Sequence, residues 1–361
     1  MTSAGAIGRV FILAPKRKEF GCGISDHTAV LCRGLAASGL TTDIIHYDGR
    51  PFRPLPEIGL GDVVFLQLSI YGYSRRGVPV WLPAYLRRTK NLGARLVTFF
   101  HELWVSWPRP TSSAFWLAPL QFSICSQVLD LSDLAIFNAE WGYKWAAERG
   151  AKHIEYIKTF SNVGEPEQLQ EWATRENNLV VFGNPHARSD VYRALASLSC
   201  ADVAPPCSEL TIVDIGEPAS AVEEWLKDDG EIRGRFRHVQ RHGPLSSGDV
   251  SRILGASKFG IFATPWNHAG KSGVMAALLA HGLCPISIHP RNHVRARSQF
   301  APKPDVHFAL LHNMNLGTAP HAAIYEGIAK AAHRSYDSSH RLVQLLAGVL
   351  QRASPAKAVG Q

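Results

Sequence analysis

The sequence lacks the cysteine spacing of a metal or redox site. Its six cysteines are scattered and form no C-x-x-C pair, so a zinc site or a redox dithiol has little support and reduced thiols are expected. Long apolar runs are missing as well, because no stretch reaches the roughly 18–20 apolar residues of a membrane-spanning helix. The short apolar run that follows Arg9 indicates a first β-strand and not a signal peptide. A cytoplasmic protein is therefore expected.

Positive charge is in excess and unevenly distributed. The 361 residues carry a formal net charge of +8. Through Asn162 there are 18 Lys and Arg against 12 Asp and Glu, and the remainder has 20 against 18. The basic first half predicts an anionic partner such as a phospholipid or a lipid-linked phosphate, although a solvated basic surface explains the bias equally well. The surplus is modest and no nucleic-acid-binding module is recognisable, so no nucleic-acid partner is expected.

The stretch nearest in composition to a spanning helix is Pro110–Leu129, which holds no charged residue. Serines, glutamines and Pro119 interrupt it, so a span is not predicted. Together with the basic bias, this stretch leaves open a peripheral contact with the inner face of a membrane.

The length suits two domains, and the sequence pattern repeats accordingly. Apolar β-type runs alternate with amphipathic helical stretches such as Ser25–Ser38 and Pro79–Asn91, and the alternation restarts after the polar stretch Glu165–Asn178. This pattern predicts an α/β protein with two Rossmann-like, doubly wound domains facing a cleft. The predicted strands are Arg9–Ala14, Thr42–His46, Asp62–Gln67, Ala94–Phe100, Leu134–Asn138, His153–Ile157, Leu179–Gly183, Glu209–Ile215, Phe236–Arg241, Phe259–Ala263, Cys284–Ser287 and Val306–Ala309.

The predicted domain boundaries follow from that restart. The first domain is expected over 1–162, a linker over 163–178 and the second domain over 179–335. A C-terminal helix over 336–352 is expected to pack back on the first domain, and the tail 353–361 is expected to be disordered.

Ligands of such sheets bind beyond the carboxyl ends of the strands, so the loops that follow the strands are the candidate sites. In the first loop, Gly23 allows close backbone approach, and Ser25 or Asp26 is predicted to cap the next helix. An ordinary glycine-rich turn explains this loop equally well. A later apolar strand ends in His101 and Glu102, where His101 could accept a proton.

Two loops of the second half carry the groups expected around a diphosphate. Gly183 and Asn184 form a turn, with Arg188 following as a fixed cation. Farther on, a strand leads through His268 into Gly270-Lys271-Ser272-Gly273 and an Ala/Leu helix, where backbone N–H groups and the helix dipole favour an anion. The spacing is not that of a Walker A motif. An ordinary surface arginine is the alternative at the first of these loops, and a merely structural turn is the alternative at the second.

In this order and spacing, the four loops resemble those of the GT-B glycosyltransferases, particularly the retaining family-4-type enzymes of bacterial polysaccharide synthesis. The resemblance covers nearly the whole chain and rests on Gly23–Asp26, Phe99–Trp104, Phe182–Arg188 and Phe259–Gly282. Asn184 and Arg188 stand where that family has an Arg and a Lys. Its Glu-x7-Glu pair is replaced by Ala269 and Ala277.

The resemblance implies a glycosyltransferase of polysaccharide or glycolipid biosynthesis that uses a nucleotide-sugar, of UDP or GDP type, as substrate and needs no cofactor. The absence of any D-x-D sequence argues against a metal-bridged phosphate site. The acceptor is expected to be a saccharide or a polyprenyl-linked saccharide. A nucleotide-sugar epimerase of similar fold and a non-catalytic protein that binds a nucleotide or partner remain open, the latter because of Ala269 and Ala277.

The implied residues fall into three groups. The expected catalytic residues are His101, Asp26 and Glu102. The expected donor-binding residues are Gly183, Asn184, Arg188, His268, Gly270, Lys271, Ser272 and Gly273. The expected acceptor-binding residues are Gly23, Ser25, Tyr71, Arg75 and Trp104, the aromatic ones as surfaces for a sugar or a lipid-phosphate headgroup. Aromatic residues buried in an ordinary core are the alternative.

Overall fold

The computed structural model describes residues 8–15, 23–54, 58–105, 110–197, 209–227, 231–289, 303, 306–311 and 319–353. The chain divides into two compact units. One comprises 1–158 together with 339–361, and the other comprises 159–338. The predicted tail beyond residue 353 and the turn before Gly23 lie outside the described residues.

The first unit contains a parallel sheet of six strands. Its strands are β1 (Val10–Ala14), β2 (Thr42–His46), β3 (Val63–Ser69), β4 (Arg95–Glu102), β5 (Leu134–Phe137) and β6 (Ile154–Tyr156). The spatial order is β2-β1-β3-β4-β5-β6, and all neighbouring strands are parallel. The helices are α1 (Gly23–Ala37), α2 (Ile70–Tyr73), α3 (Leu82–Asn91), α4 (Ser113–Leu131) and α5 (Glu140–Glu148).

The local sequence explains these elements. Strands β1, β3 and β5 are buried along their whole length, as continuous apolar runs between two helical layers should be. Helix α1 is followed by Gly39 at φ 75°, and α3 by Gly93 at φ 96°. A positive φ ends a helix at little cost only when the residue is glycine.

The second unit repeats the plan with another six-stranded parallel sheet. Its strands are β7 (Glu176–Phe182), β8 (Thr211–Ile215), β9 (His238–His242), β10 (Ser257–Phe262), β11 (Cys284–Ser287) and β12 (Ala309–Leu310). Their spatial order is β12-β11-β10-β7-β8-β9. The helices are α6 (Pro185–Ala196), α7 (Ser220–Glu223), α8 (Glu231–Arg235), α9 (Ser247–Ala256), α10 (Gly273–Ala280) and α11 (Ala319–Arg334). Apolar clusters fill both faces of this sheet.

The last helix, α12 (Ser339–Ala353), belongs to the first unit and packs on α1. The two helices come so close that a Cβ placed on Gly34 would lie 2.8 Å from Cγ2 of Val343. Glycine at this position therefore permits the close approach of α12. Among the described helices, none is long and apolar enough to cross a membrane.

The predicted fold class of two Rossmann-like α/β domains is confirmed. The main differences lie at the ends of elements. The sequence predicted that Ser25 or Asp26 caps helix α1. The helix already includes Gly23, so both residues lie within its first turn and neither is its N-cap. Strand β7 begins at Glu176, within the stretch predicted as a linker.

Candidate functional site

Each sheet has one point where the strand order reverses, and such points are the usual ligand sites of open α/β sheets. In the first unit the reversal lies between β1 and β3. In the second unit it lies between β7 and β10. In open α/β sheets the connections after the two strands at such a point lead away in opposite directions, so the carboxyl edge of the sheet there is where a ligand is expected.

Three elements of the first unit meet beside the reversal through a buried polar network. Gln67 of β3 lies at its centre. Nε2 of His101 lies 2.5 Å from Oε1 of Gln67. Nε2 of Gln67 lies 3.2 Å from Nδ1 of His27 and 2.9 Å from Oγ1 of Thr28. The network joins β3 and β4 to the first turns of α1.

The hydrogen bonds of this network have one consistent direction. Thr28 Oγ1 donates to the carbonyl oxygen of Ile24 at 2.8 Å, so it accepts from the Gln67 amide nitrogen. The Gln67 oxygen therefore faces His101 and accepts from its Nε2–H. When His101 is neutral, the lone pair of its ring is consequently on Nδ1.

His27 is neutral in this network. It is buried, and burial lowers its pKa to about 3, against the smaller raising effect of its hydrogen bond with Gln67. Its ring makes edge contact with that of His101, with the centroids 4.9 Å apart. A neutral neighbour adds no charge repulsion to a proton on His101.

The other predicted acid–base residues border this network. The exposed Glu102 accepts a hydrogen bond from Ser69 Oγ at 2.5 Å, which joins the ends of β4 and β3. Asp26 lies in the first turn of α1, one residue before His27. Gly23 and Ser25 lie in the same turn, and no atom of the described residues lies within 4 Å of a Cβ placed on Gly23.

The predicted acceptor residues have different surroundings. Tyr71 is exposed, and its hydroxyl accepts from Nε2 of Gln121 at 3.0 Å. Arg75 is exposed in the loop after α2. Trp104 instead packs edge-on against Trp141 and Trp145, with ring centroids 5.3 and 4.8 Å away. Trp104 is half-buried and packs against the core of this unit, so its predicted role as a stacking surface for sugar stays a prediction.

In the second unit, the loop after β10 ends at the N-terminus of α10. Ser272 caps this helix by accepting from the backbone N–H of Met275 at 3.1 Å, and it accepts a hydrogen bond from Thr264 at 3.0 Å. The first N–H groups of a helix lack intrahelical partners, and the dipole favours an anion beside them. The N-terminus of α10 therefore has the electrostatics of a phosphate site.

Two cationic or titratable side chains precede that cap. Lys271 ends the 3₁₀ turn Trp266–Lys271, which also contains His268. Burial and the neighbouring charge of Lys271 lower the pKa of His268. The carbonyl of Gly270 accepts from the backbone N–H of Thr159 at 2.7 Å, which anchors the loop. Gly273 lies against Asn162, whose Cγ would be 3.5 Å from an added Cβ.

The loop after β7 faces the same reversal. Gly183 has φ 125°, and an added Cβ would lie 3.1 Å from Cγ2 of Val274 in α10. Asn184 caps α6, with its side-chain oxygen accepting from the N–H of Ala187 at 2.9 Å. The two loops expected to hold a diphosphate are thus adjacent in the structure.

Arg188 does not have the place expected of it. Its side chain is only 2% exposed and forms a two-pronged ion pair with the equally buried Asp214 of β8, with Nε 2.9 Å from Oδ1. Nη1 also donates to the carbonyl of Glu217 at 2.7 Å. The charge of Arg188 is already compensated inside the unit, so this residue supports the loops and is not a direct diphosphate ligand.

Ala269 and Ala277 are both buried in an apolar cluster of the second unit. A carboxylate at Ala277 would be enclosed by this cluster and would be costly without a partner. The packing is therefore adapted to small apolar side chains at both positions. Among the described residues, no three His, Cys, Asp or Glu side chains are grouped as a metal site would require.

Sequence reasoning missed His27, Gln67 and Asp214. Gln67 and Asp214 are strongly polar residues within mostly apolar strands, VVFLQLS and TIVDI. A polar group in a strand buried on both faces must find a partner, so both positions carried a usable signal. His27 gave no comparable signal, because a histidine in a helix is equally compatible with the surface.

The comparisons with known proteins bear on the fold. No protein-family model matches the sequence, and no curated protein matches it. An α-glucosyltransferase in complex with UDP aligns at TM-score 0.54 and 10% identity, over 95% of this chain and 99% of its own. A UDP-N-acetylglucosamine 2-epimerase from Listeria monocytogenes aligns at TM-score 0.55 and 12% identity, over 96% and 98%. The lipopolysaccharide outer core galactosyltransferase WaaB aligns at TM-score 0.50 and 13% identity, over 95% and 99%. The chain therefore has the GT-B fold of these proteins.

Proposed function

We propose that this protein is a glycosyltransferase that moves a sugar from a nucleotide-sugar donor to a saccharide or lipid-linked acceptor. One observation carries the proposal: at the point where its strand order reverses, each sheet has groups suited to one half of the reaction. In the second unit these groups are the N-terminus of α10 and the preceding Lys271. In the first unit they are the two histidines bound to Gln67 and the neighbouring Glu102. Similarity in fold to an α-glucosyltransferase that binds UDP favours a UDP-type donor over a GDP-type donor.

On the donor side, negative charge builds on the nucleoside diphosphate as the sugar leaves. The N–H groups that open α10 and the ammonium of Lys271 would stabilise that charge, while the hydroxyl of Ser272 is engaged as the cap. Gly183 allows the backbone after β7 to approach the phosphates closely. Preorganised donors of this kind typically contribute about 3–4 kcal/mol each to transition-state stabilisation. The chemistry assigns no role to a metal ion or to another cofactor.

On the acceptor side, His101 is the proposed group at the reaction centre. With Nε2–H donated to Gln67, its Nδ1 is the nitrogen with proton-accepting character. Glu102 and Asp26 are proposed beside the acceptor hydroxyl. Tyr71 and Arg75 are proposed to bind an acceptor that carries a phosphate, as a polyprenyl-linked saccharide does. Such an acceptor places the protein in the cytoplasm at the inner face of the membrane, in polysaccharide or glycolipid synthesis.

Turnover of a donor panel tests this proposal. UDP-, GDP-, ADP-, CDP- and dTDP-sugars are incubated with the protein, and released nucleoside diphosphate is measured with and without lipid-linked saccharide extracts. We expect release with one nucleotide class, stimulated by acceptor and reduced by about 100-fold or more in His101→Ala. No release from any donor would contradict the proposal.

The same reactions separate the alternatives. An epimerase would convert the sugar of its donor without acceptor and without net release of nucleotide, which chromatography of the nucleotide-sugar detects. A non-catalytic protein would bind a nucleotide-sugar and leave it unchanged. Ala269 and Ala277 motivate this hypothesis.

A further inference from the structure

Helix α4 presents an unusual surface on its N-terminal half. Trp116 is 76% exposed, and Phe115, Pro119 and Leu120 are exposed beside it. We call these four residues the α4 patch. The opposite side of the helix is buried through Ile124, Cys125 and Val128, so α4 is already anchored in its unit. The exposed side chains of the patch are therefore not part of the core of the unit.

The α4 patch is uncharged but lies next to positive charge. No Asp, Glu, Lys or Arg occurs from Pro110 to Leu129. Gln121, the residue after Leu120, donates through Nε2 to the carbonyl oxygen of Arg76 at 3.0 Å. This contact holds the loop with the exposed Arg75 and Arg76 against the helix. Val80, a few residues on, is also exposed, at 64%.

Exposed aromatic side chains next to arginines match one environment in particular. Trp and Phe favour the boundary between lipid headgroups and acyl chains. Arginines at the same level attract anionic headgroups. Towards the second half of α4, the exposed Phe122 packs its ring against Trp104. The outward residues that follow, Ser123, Gln127 and Asp130, are polar. The apolar region is thus confined to one end of the helix, as shallow insertion requires.

We propose that the α4 patch, with Arg75 and Arg76, docks this protein on an anionic phospholipid membrane. Phe115, Trp116 and Leu120 enter the headgroup boundary, and the two guanidinium groups contact lipid phosphates. The inference deepens the proposed function, since a lipid-linked acceptor resides in such a membrane. Docking itself requires no donor, acceptor or turnover, so membrane binding and transfer can be tested separately.

Vesicle flotation with the full chain tests this surface. Vesicles of phosphatidylcholine mixed with phosphatidylglycerol are compared with vesicles of phosphatidylcholine alone. We expect binding to the anionic vesicles, weaker at high ionic strength. The double variant Trp116→Ser/Leu120→Ser should partition at least about tenfold less, since two apolar side chains no longer enter the lipid. Replacing Arg75 and Arg76 by Gln should weaken binding about fivefold per arginine.

Leu60→Ser is the matched control, because Leu60 is 74% exposed in the same unit but outside the α4 patch. It should float like the unaltered chain. Thermal unfolding of the double variant should be unchanged, since its side chains do not fill the core, and this separates loss of docking from loss of folding. Equal flotation of the double variant and the control would overturn the proposal. The absence of vesicle binding would also overturn it. If, in that case, the unaltered chain is a dimer and Trp116→Ser/Leu120→Ser dissociates it, the α4 patch binds a second copy of the chain.

Discussion

Gln67 connects the two histidines of the first unit, and its amide can take only one orientation there. Its oxygen accepts from His101, and its nitrogen donates to Thr28 and His27. A glutamine in this position fixes the tautomer of a histidine without adding charge. Gln67 is therefore a positioning residue for His101 in the proposed reaction.

Replacing Gln67 by Leu should release this constraint. In the unaltered protein, ¹⁵N NMR should show His101 protonated at Nε2 when the ring is neutral, and Gln67→Leu should show a mixture of tautomers. Donor turnover should fall by about tenfold or more with little change in KM, because binding is untouched and proton transfer is impaired. Gln67→Glu keeps the acceptor towards His101 and should keep the Nε2–H tautomer. An Nδ1–H tautomer in the unaltered protein would contradict the assignment.

The burial of His27 predicts how stability depends on pH. The pKa of His27 is about 3 in the folded protein, below the ordinary histidine value of 6.5. Below pH 6.5 the unfolded chain therefore binds a proton that the folded chain excludes, and stability is lost as pH falls.

From this residue the loss is about 1.4 kcal/mol per pH unit between pH 6 and 4. His27→Gln removes the titrating group, so the free energy of unfolding should fall less steeply with acid than in the unaltered chain. Urea unfolding at pH 6 and pH 5 measures the difference. Identical slopes in the two proteins would contradict a buried neutral His27.

At the scale of single elements, the ion pair of Arg188 and Asp214 joins α6 to β8. Both groups are buried, so removing one leaves an uncompensated charge in the core of the second unit. Arg188→Ala should therefore destabilise that unit by about 3–5 kcal/mol. Arg193→Ala on the same helix is the control, since its pair with Asp190 is exposed, and it should change stability by less than about 1 kcal/mol. Urea unfolding of both variants decides whether Arg188 is a structural residue.

The elements themselves could be predicted well from the sequence. The twelve strands in the part of the chain that the structure describes lie at or within a few residues of their predicted positions, because buried parallel strands form continuous apolar runs such as that of β1. The ends were less predictable. The helical state of Gly23 and the early start of β7 at Glu176 depend on neighbours that are distant in sequence.

At the scale of the whole molecule, alternating strands and helices predicted two doubly wound domains, and the two sheets show them. Alternation cannot give strand order, yet the order decides where each crevice lies. The loops after β7 and β10 are adjacent in the structure, where Gly183 lies against Val274, and their role as a donor site stays a prediction. The sequence could not show that Arg188 is paired with Asp214 or that Trp104 is packed, because both depend on side chains from other elements.

Calorimetric titration with UDP, GDP, ADP, CDP and dTDP tests the proposed donor site most directly. We expect one of them to bind. Lys271→Ala should weaken it about 10- to 100-fold, since a hydrogen bond to a charged group contributes about 1.5–3 kcal/mol. Lys227→Ala, an exposed lysine of the same unit outside the loops after β7 and β10, should bind normally. Binding of none of the five, or equal binding by the two variants, would contradict a nucleotide site at the opening of α10.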